Sequence, residues 1–146
     1  MTSALALPIS ASMHHSLAHA YSPEYFEAVA RATIARLPAQ FAEHLGDILF
    51  QVQDLADRDV LDDLGIANPM HLSGVYEGIP LPEQSIGHSG TMPTRIRLFR
   101  LPILAEWQAD PSEELYHLIA HVTIHEIGHH FGLSDEAMHA LEDEVL

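Results

Sequence analysis

Cysteine and lysine are both missing from this chain of 146 residues. Without cysteine there is no disulfide, no thiolate nucleophile and no sulfur-ligated zinc site. Any metal must be held by nitrogen and oxygen donors, and the chain has twelve His and 21 acidic residues to supply them. Lack of disulfides also agrees with a reducing, cytoplasmic location. With lysine absent, positive charge rests on six Arg alone, and the formal net charge is −15. A surface of that sign repels nucleic acid and anionic membranes at long range, so neither is an expected partner. Long apolar runs are lacking too, with none near the roughly 20 residues that a membrane span needs.

A secretory leader is not expected either. Residues 1–20 contain Leu5-Ala6-Leu7 and an Ala18-His19-Ala20 that imitates a cleavage site, but no basic residue precedes Arg31 and Pro8 cuts the apolar stretch short. The sequence reads as a disordered tail over residues 1–20 and a single domain over 21–146. At 47% apolar and 18% charged residues, that domain has the composition of an ordinary globular protein.

Local patterns divide the domain. Ser22 followed by Pro23 is a helix start, and Phe26, Val29, Ala30, Thr33 and Leu37 recur at helical spacing before Pro38 ends the segment. A helical turn is expected over Gln40–Leu45 and a strand over Ile48–Gln53. A short acidic helix over Asp57–Leu64 stops at Gly65. Two further strands are expected at Gly74–Ile79 and Thr94–Leu101, the second with Ile96 and Leu98 on one face and Arg95 and Arg97 on the other. Arg95, Arg97 and Arg100 read as a solvated strand face paired with nearby acids. Between these strands, Pro80–Pro93 is rich in Pro and Gly and long enough for a functional loop. Ser112 is the expected cap of a long helix ended by Gly132, and a last helix runs from Asp135. Helices outside and strands between them give an α+β fold, a small mixed sheet of about three strands packed on two helices.

Within the long helix lies His125-Glu126-Ile127-Gly128-His129, an H-E-x-x-H arrangement. Positions four apart on a helix differ by only about 40°, so both imidazoles point to one side, one turn apart. That spacing suits a single zinc ion, and Glu126, about 100° round from His125, can lean over the ion's open position without ligating it. From there Glu126 can activate a metal-bound water as general base. Chance alone would produce H-E-x-x-H in about one such chain in twelve. The text continues to Gly132 and Asp135, and the extended H-E-x-x-H-x-x-G-x-x-D has a chance expectation of roughly three in ten thousand. Gly132 lets the chain turn sharply, and Asp135 can then complete the ligand set His125, His129 and Asp135.

Neighbouring residues offer other readings. His117, His121, His125 and His129 recur every fourth residue, so His121 and His125 form a second possible pair. Only His125 and His129 carry the Glu and the Gly-x-x-Asp. His121 is then a cleft or supporting residue, and His117 a surface one. His130, about 140° from His125, is structural, Glu136 is a rival third ligand, and Glu142 and Glu144 read as helix surface.

The extended motif resembles that of the metzincins, with Asp in place of the third His. Together with Gly74–Leu81 and Arg95–Leu104, it resembles the minimal zincins, small bacterial metallopeptidase-like proteins with a matrix-metalloprotease-like domain. The resemblance spans roughly Ser22 to Leu146. It implies a zincin-like α+β fold, zinc at His125, His129 and Asp135, Glu126 as base, and a peptide or protein substrate. One departure is that metzincins carry a Met-turn well downstream of the motif, whereas Met138 follows Asp135 by only three residues. Two classes of function stand at this point: a zinc-dependent peptide hydrolase, and a non-catalytic metal- or partner-binding module that keeps the site.

Overall fold

Alternation along Arg95–Phe99 organises the molecule. In the computed structural model, which describes residues 21–46, 48–83 and 94–146, this segment is a strand whose Ile96 and Leu98 face one way and Arg97 and Phe99 the other, all four buried. The expected tail over 1–20 and most of the Pro80–Pro93 loop lie outside the described residues.

The elements run α1 (Pro23–Ala35), α2 (Ala39–Ala42), β1 (Leu49–Gln53), α3 (Arg58–Leu64), β2 (Gly74–Glu77), β3 (Arg95–Phe99), α4 (Arg100–Ala109), α5 (Leu115–Phe131) and α6 (Asp135–Val145), with 3-10 turns at Pro69–His71 and Leu81–Glu83. The sheet order is β1-β3-β2, with β1 parallel and β2 antiparallel to the central β3. The fold is α+β, as the sequence implied. Strand Gly74–Glu77 lies at an edge and Arg95–Phe99 inside.

Register decides which residues share a face. Phe50 pairs with Ile96 and Val52 with Leu98 across β1/β3, while Tyr76 pairs with Ile96 and Gly74 with Leu98 across β2/β3. This face packs on α5. Phe26, Ala30, Leu98, Ile103, Leu118, Ile119 and Val122 form one core cluster between α1, β3, α4 and α5. Ile96, Ile124, Ile127, Leu141 and Val145 form a second, which α6 closes. On the opposite face Phe99 packs with Leu61 and Ala56.

Three expectations need correction. The strand ends at Phe99, not Leu101, because the chain turns into α4 there; Pro102 falls in the first turn of that helix, where its missing N–H costs nothing. Ser112 does not cap the long helix. Its hydroxyl donates to Asp110 instead, and α5 begins after Glu114. Finally, the Arg face is not a simple solvated one. Arg97 is 3% exposed, and Glu77 binds it through both carboxylate oxygens, at 2.9 Å from Nε and 2.7 Å from the terminal nitrogen. Arg95 Nε donates to the same carboxylate at 2.9 Å, and Asp57 approaches Arg97 at 3.5 Å. Burial alone would raise the Glu77 carboxyl, but hydrogen bonds and charge from Arg97 and Arg95 hold it below its ordinary value.

Candidate metal centre

The last turns of α5 and the first turn of α6 carry the motif. Gly132 ends α5 with φ of 67°, a left-handed conformation that glycine adopts without strain. Its N–H donates to His129 O, and Leu133 N–H donates to Gly128 O, closing the end of the helix. Two residues later Ser134 caps α6, its hydroxyl accepting from Ala137 N–H at 3.1 Å. The short turn lays α6 back along α5 and puts Asp135 at its exposed first position.

His125, Glu126 and His129 lie on adjoining positions of α5. Glu126 is 8% exposed, and its Oε1 lies 3.2 Å from His129 Nδ1, an ion-pair approach without hydrogen-bond alignment. Burial raises the carboxyl pKa of Glu126, and the neighbouring His129 works against that rise. Burial, and then His121, push the His125 imidazole below its usual value. Among the described residues, its Nε2 and Glu126 Oε1 are buried without hydrogen-bond partners, as is His130 Nε2. Buried polar atoms are nearly always satisfied, so an unpartnered imidazole nitrogen and carboxylate oxygen together are what a cation site leaves when read without its ion. Imidazole and carboxylate donors suit zinc, and in donor type the residues present fit it.

The side chains of His125, His129 and Asp135 are not gathered round one point. His129 stands outward with its side chain 54% exposed, paired to Glu126. Among the described residues, the donor atoms that do converge are those of His121, His125 and Glu142, all within 4.8 Å of one another. The His121 and His125 rings are 4.4 Å apart between centroids, and His121 Nδ1 lies 2.9 and 2.8 Å from the two oxygens of Glu142. Reading Glu142 as helix surface is therefore corrected: it faces α5, with its side chain 14% exposed. The signal was present in the spacing. Glu142 follows Asp135 by seven residues, two turns, which returns it to within about 20° of the same face. Glu136 is exposed, and Glu144 keeps its surface place.

His121, His125 and Glu126 line a cavity of about 240 Å³ with Ser73, Gly74, Glu106 and Val122. Gly74 sits hard against its floor. A β-carbon there would meet Val122 Cγ1 at 3.0 Å and Glu126 Cγ at 3.3 Å. His130 points away from this cavity. It is 3% exposed, and its Nδ1 lies 3.0 Å from the Tyr76 hydroxyl, which also donates to Ile79 O. Tyr76 thus ties β2 to α5 from the far side of the motif. His117 pairs with Glu113 near the start of α5, away from the cavity.

No helix among the described residues is long and apolar enough to cross a membrane. A search of the curated proteins returns no match. Residues 45–145, which hold the whole sheet, the motif helix and all of α6, match the model of the zincin-like metallopeptidases. The chain belongs to that family.

Proposed function

We propose that the protein is a zinc-dependent peptide hydrolase in which His125, His129 and Asp135 hold the ion and Glu126 is the general base. The observation that carries this reading is the placement of Glu126. Its carboxylate is buried on the wall of a cavity, one turn or less from two imidazoles, and has an oxygen without a hydrogen-bond partner among the described residues. A zinc kept only for structure has its coordination filled by protein and no use for such a group.

When bound, the ion supplies Lewis acidity, polarising a carbonyl and acidifying water. Everything else falls to the chain. Glu126 accepts a proton from the attacking water as the C–O bond forms, then returns it to the leaving amine as the C–N bond breaks. Burial raises the proton affinity of its carboxylate toward the working range of such a base. The edge strand β2 offers an extended peptide a line of main-chain hydrogen-bonding groups beside the cavity. Gly74, lacking a side chain, leaves that approach open over Glu126.

The test is hydrolysis of a mixed peptide library by the purified, zinc-loaded protein, with and without a chelator, beside the Glu126→Gln variant. Cleavage is expected to stop with chelator and to fall by about 10²-fold or more in Glu126→Gln, while that variant keeps its zinc. Zinc loss in Glu126→Gln would make Glu126 a ligand instead of the base. Cleavage that persists with chelator would overturn the assignment.

A further inference from the structure

We propose that His121, His125 and Glu142 form a second divalent-cation position, one that shares His125 with the catalytic set and excludes it. The site itself is independent of the catalytic assignment; only the competition between the two rests on that reading.

Three observations converge on it. The donor atoms of the three residues lie within 4.8 Å of one another. Tetrahedral zinc with ligands at about 2.0–2.1 Å sets its donors roughly 3.3–3.4 Å apart, so little more than 1 Å of side-chain movement closes the set. Second, among the described residues the Nε2 of His125 is sealed from solvent and has no hydrogen-bond partner, which leaves that nitrogen able to bind an ion beside His121. Third, the cavity beside His121 and His125 has room for water to complete the coordination. Two imidazoles and one carboxylate are a donor set for zinc, cobalt or copper, not for magnesium or calcium.

The helix pair explains how one histidine comes to serve two positions. α6 presents carboxylates at Asp135 and Glu142, two turns apart on one face, while α5 presents His121, His125 and His129 one turn apart. His125 is the middle of the three. With Asp135 and His129 it belongs to the end near the turn; with His121 and Glu142 it belongs to the end further along the pair. An ion held at the second end leaves His129 and Asp135 without metal, so the chain is loaded but does not hydrolyse.

Zinc affinity, read by competition with a chromogenic chelator, separates the possibilities. His129→Ala is expected to lose hydrolysis yet still bind close to one equivalent of zinc. Adding Glu142→Gln to it should weaken that binding by about 10²-fold or more, since even an outer partner of a metal ligand is worth 10- to 100-fold. Gln at 142 preserves a hydrogen bond to His121, so the tie between the helices survives and zinc loss is not loss of fold. His129→Ala/His121→Ala should behave alike. The inference is overturned if His129→Ala alone binds no zinc, or if the double variants bind as tightly as His129→Ala. The catalytic reading fails separately: His129→Ala would then leave both affinity and hydrolysis unchanged, while Glu142→Gln in the otherwise intact chain abolishes binding.

Discussion

Met138 lies directly on the backbone of Gly128: a β-carbon built on that glycine would meet Met138 Cγ at 2.6 Å and its sulfur closer still. Met138 is 3% exposed and holds α6 against α5 at the turn between the two motif histidines. A glycine inside a helix costs about 1 kcal/mol relative to alanine, so Gly128→Ala on helix propensity alone would stabilise. Contact reverses the sign. Gly128→Ala is expected to destabilise by about 1–3 kcal/mol through overpacking. Met138→Ala alone is expected to cost about 2–5 kcal/mol through the cavity it leaves. In the double variant the new methyl enters that space, so urea unfolding should give less than the sum of the two losses. Additive losses would mean that the two residues do not press on each other.

The same pair marks what the sequence could and could not say. The motif, its helix and its Gly132 terminus are legible because they depend on spacing within a single helix. So is the edge position of Gly74–Glu77, whose glycine, brevity and charged end suit an edge. Arg100 and Leu101 read as the end of a strand, because Thr94–Leu101 alternates well. A proline in a first turn breaks nothing, and local patterning does not show where that turn begins. The partnership of Glu142 with His121 is a contact between two helices. Its register follows from how α6 packs on α5, which one-dimensional periodicity leaves open. Arg97 was misplaced for a related reason: alternation put it on the polar face, but only the packing of α3 and the turn after it on that face made it a buried one.

Glu77 is the clearest source of pH-dependent stability. Its carboxyl titrates below its ordinary value when folded, so the contribution is complete above the ordinary glutamate value and is lost as pH falls through the lower folded value. Glu77→Gln removes the charge beside buried Arg97 and leaves Asp57, at 3.5 Å, as the carboxylate paired with it. A loss of about 1–3 kcal/mol is expected at pH 7. Urea midpoints measured from pH 7 to pH 3 should bring variant and wild type together at the acid end. A gap that stays constant with pH would assign the loss to packing and not to charge.

Substrate placement can be read from the amides. β3 is paired on both sides, so its exchange is slow in the free protein, whereas among the described residues β1 and β2 each leave one side open. β2 is the edge beside the cavity, and Gly74 is the residue nearest Glu126 on it. A peptide that adds to β2 must pair with main-chain groups of Gly74–Glu77, so hydrogen exchange with a zinc-binding peptide-like inhibitor should slow there. Slowing is also expected at the last turn of α5, which carries the proposed ligand His129, and not at Leu49–Gln53 on the far edge. Gly74→Val should abolish the effect without unfolding the sheet from its tied end, because its branched carbon drives into Val122 and Glu126 while Tyr76 stays hydrogen-bonded to His130. Protection that appears at Leu49–Gln53 instead would move the peptide to the other edge and separate it from Glu126.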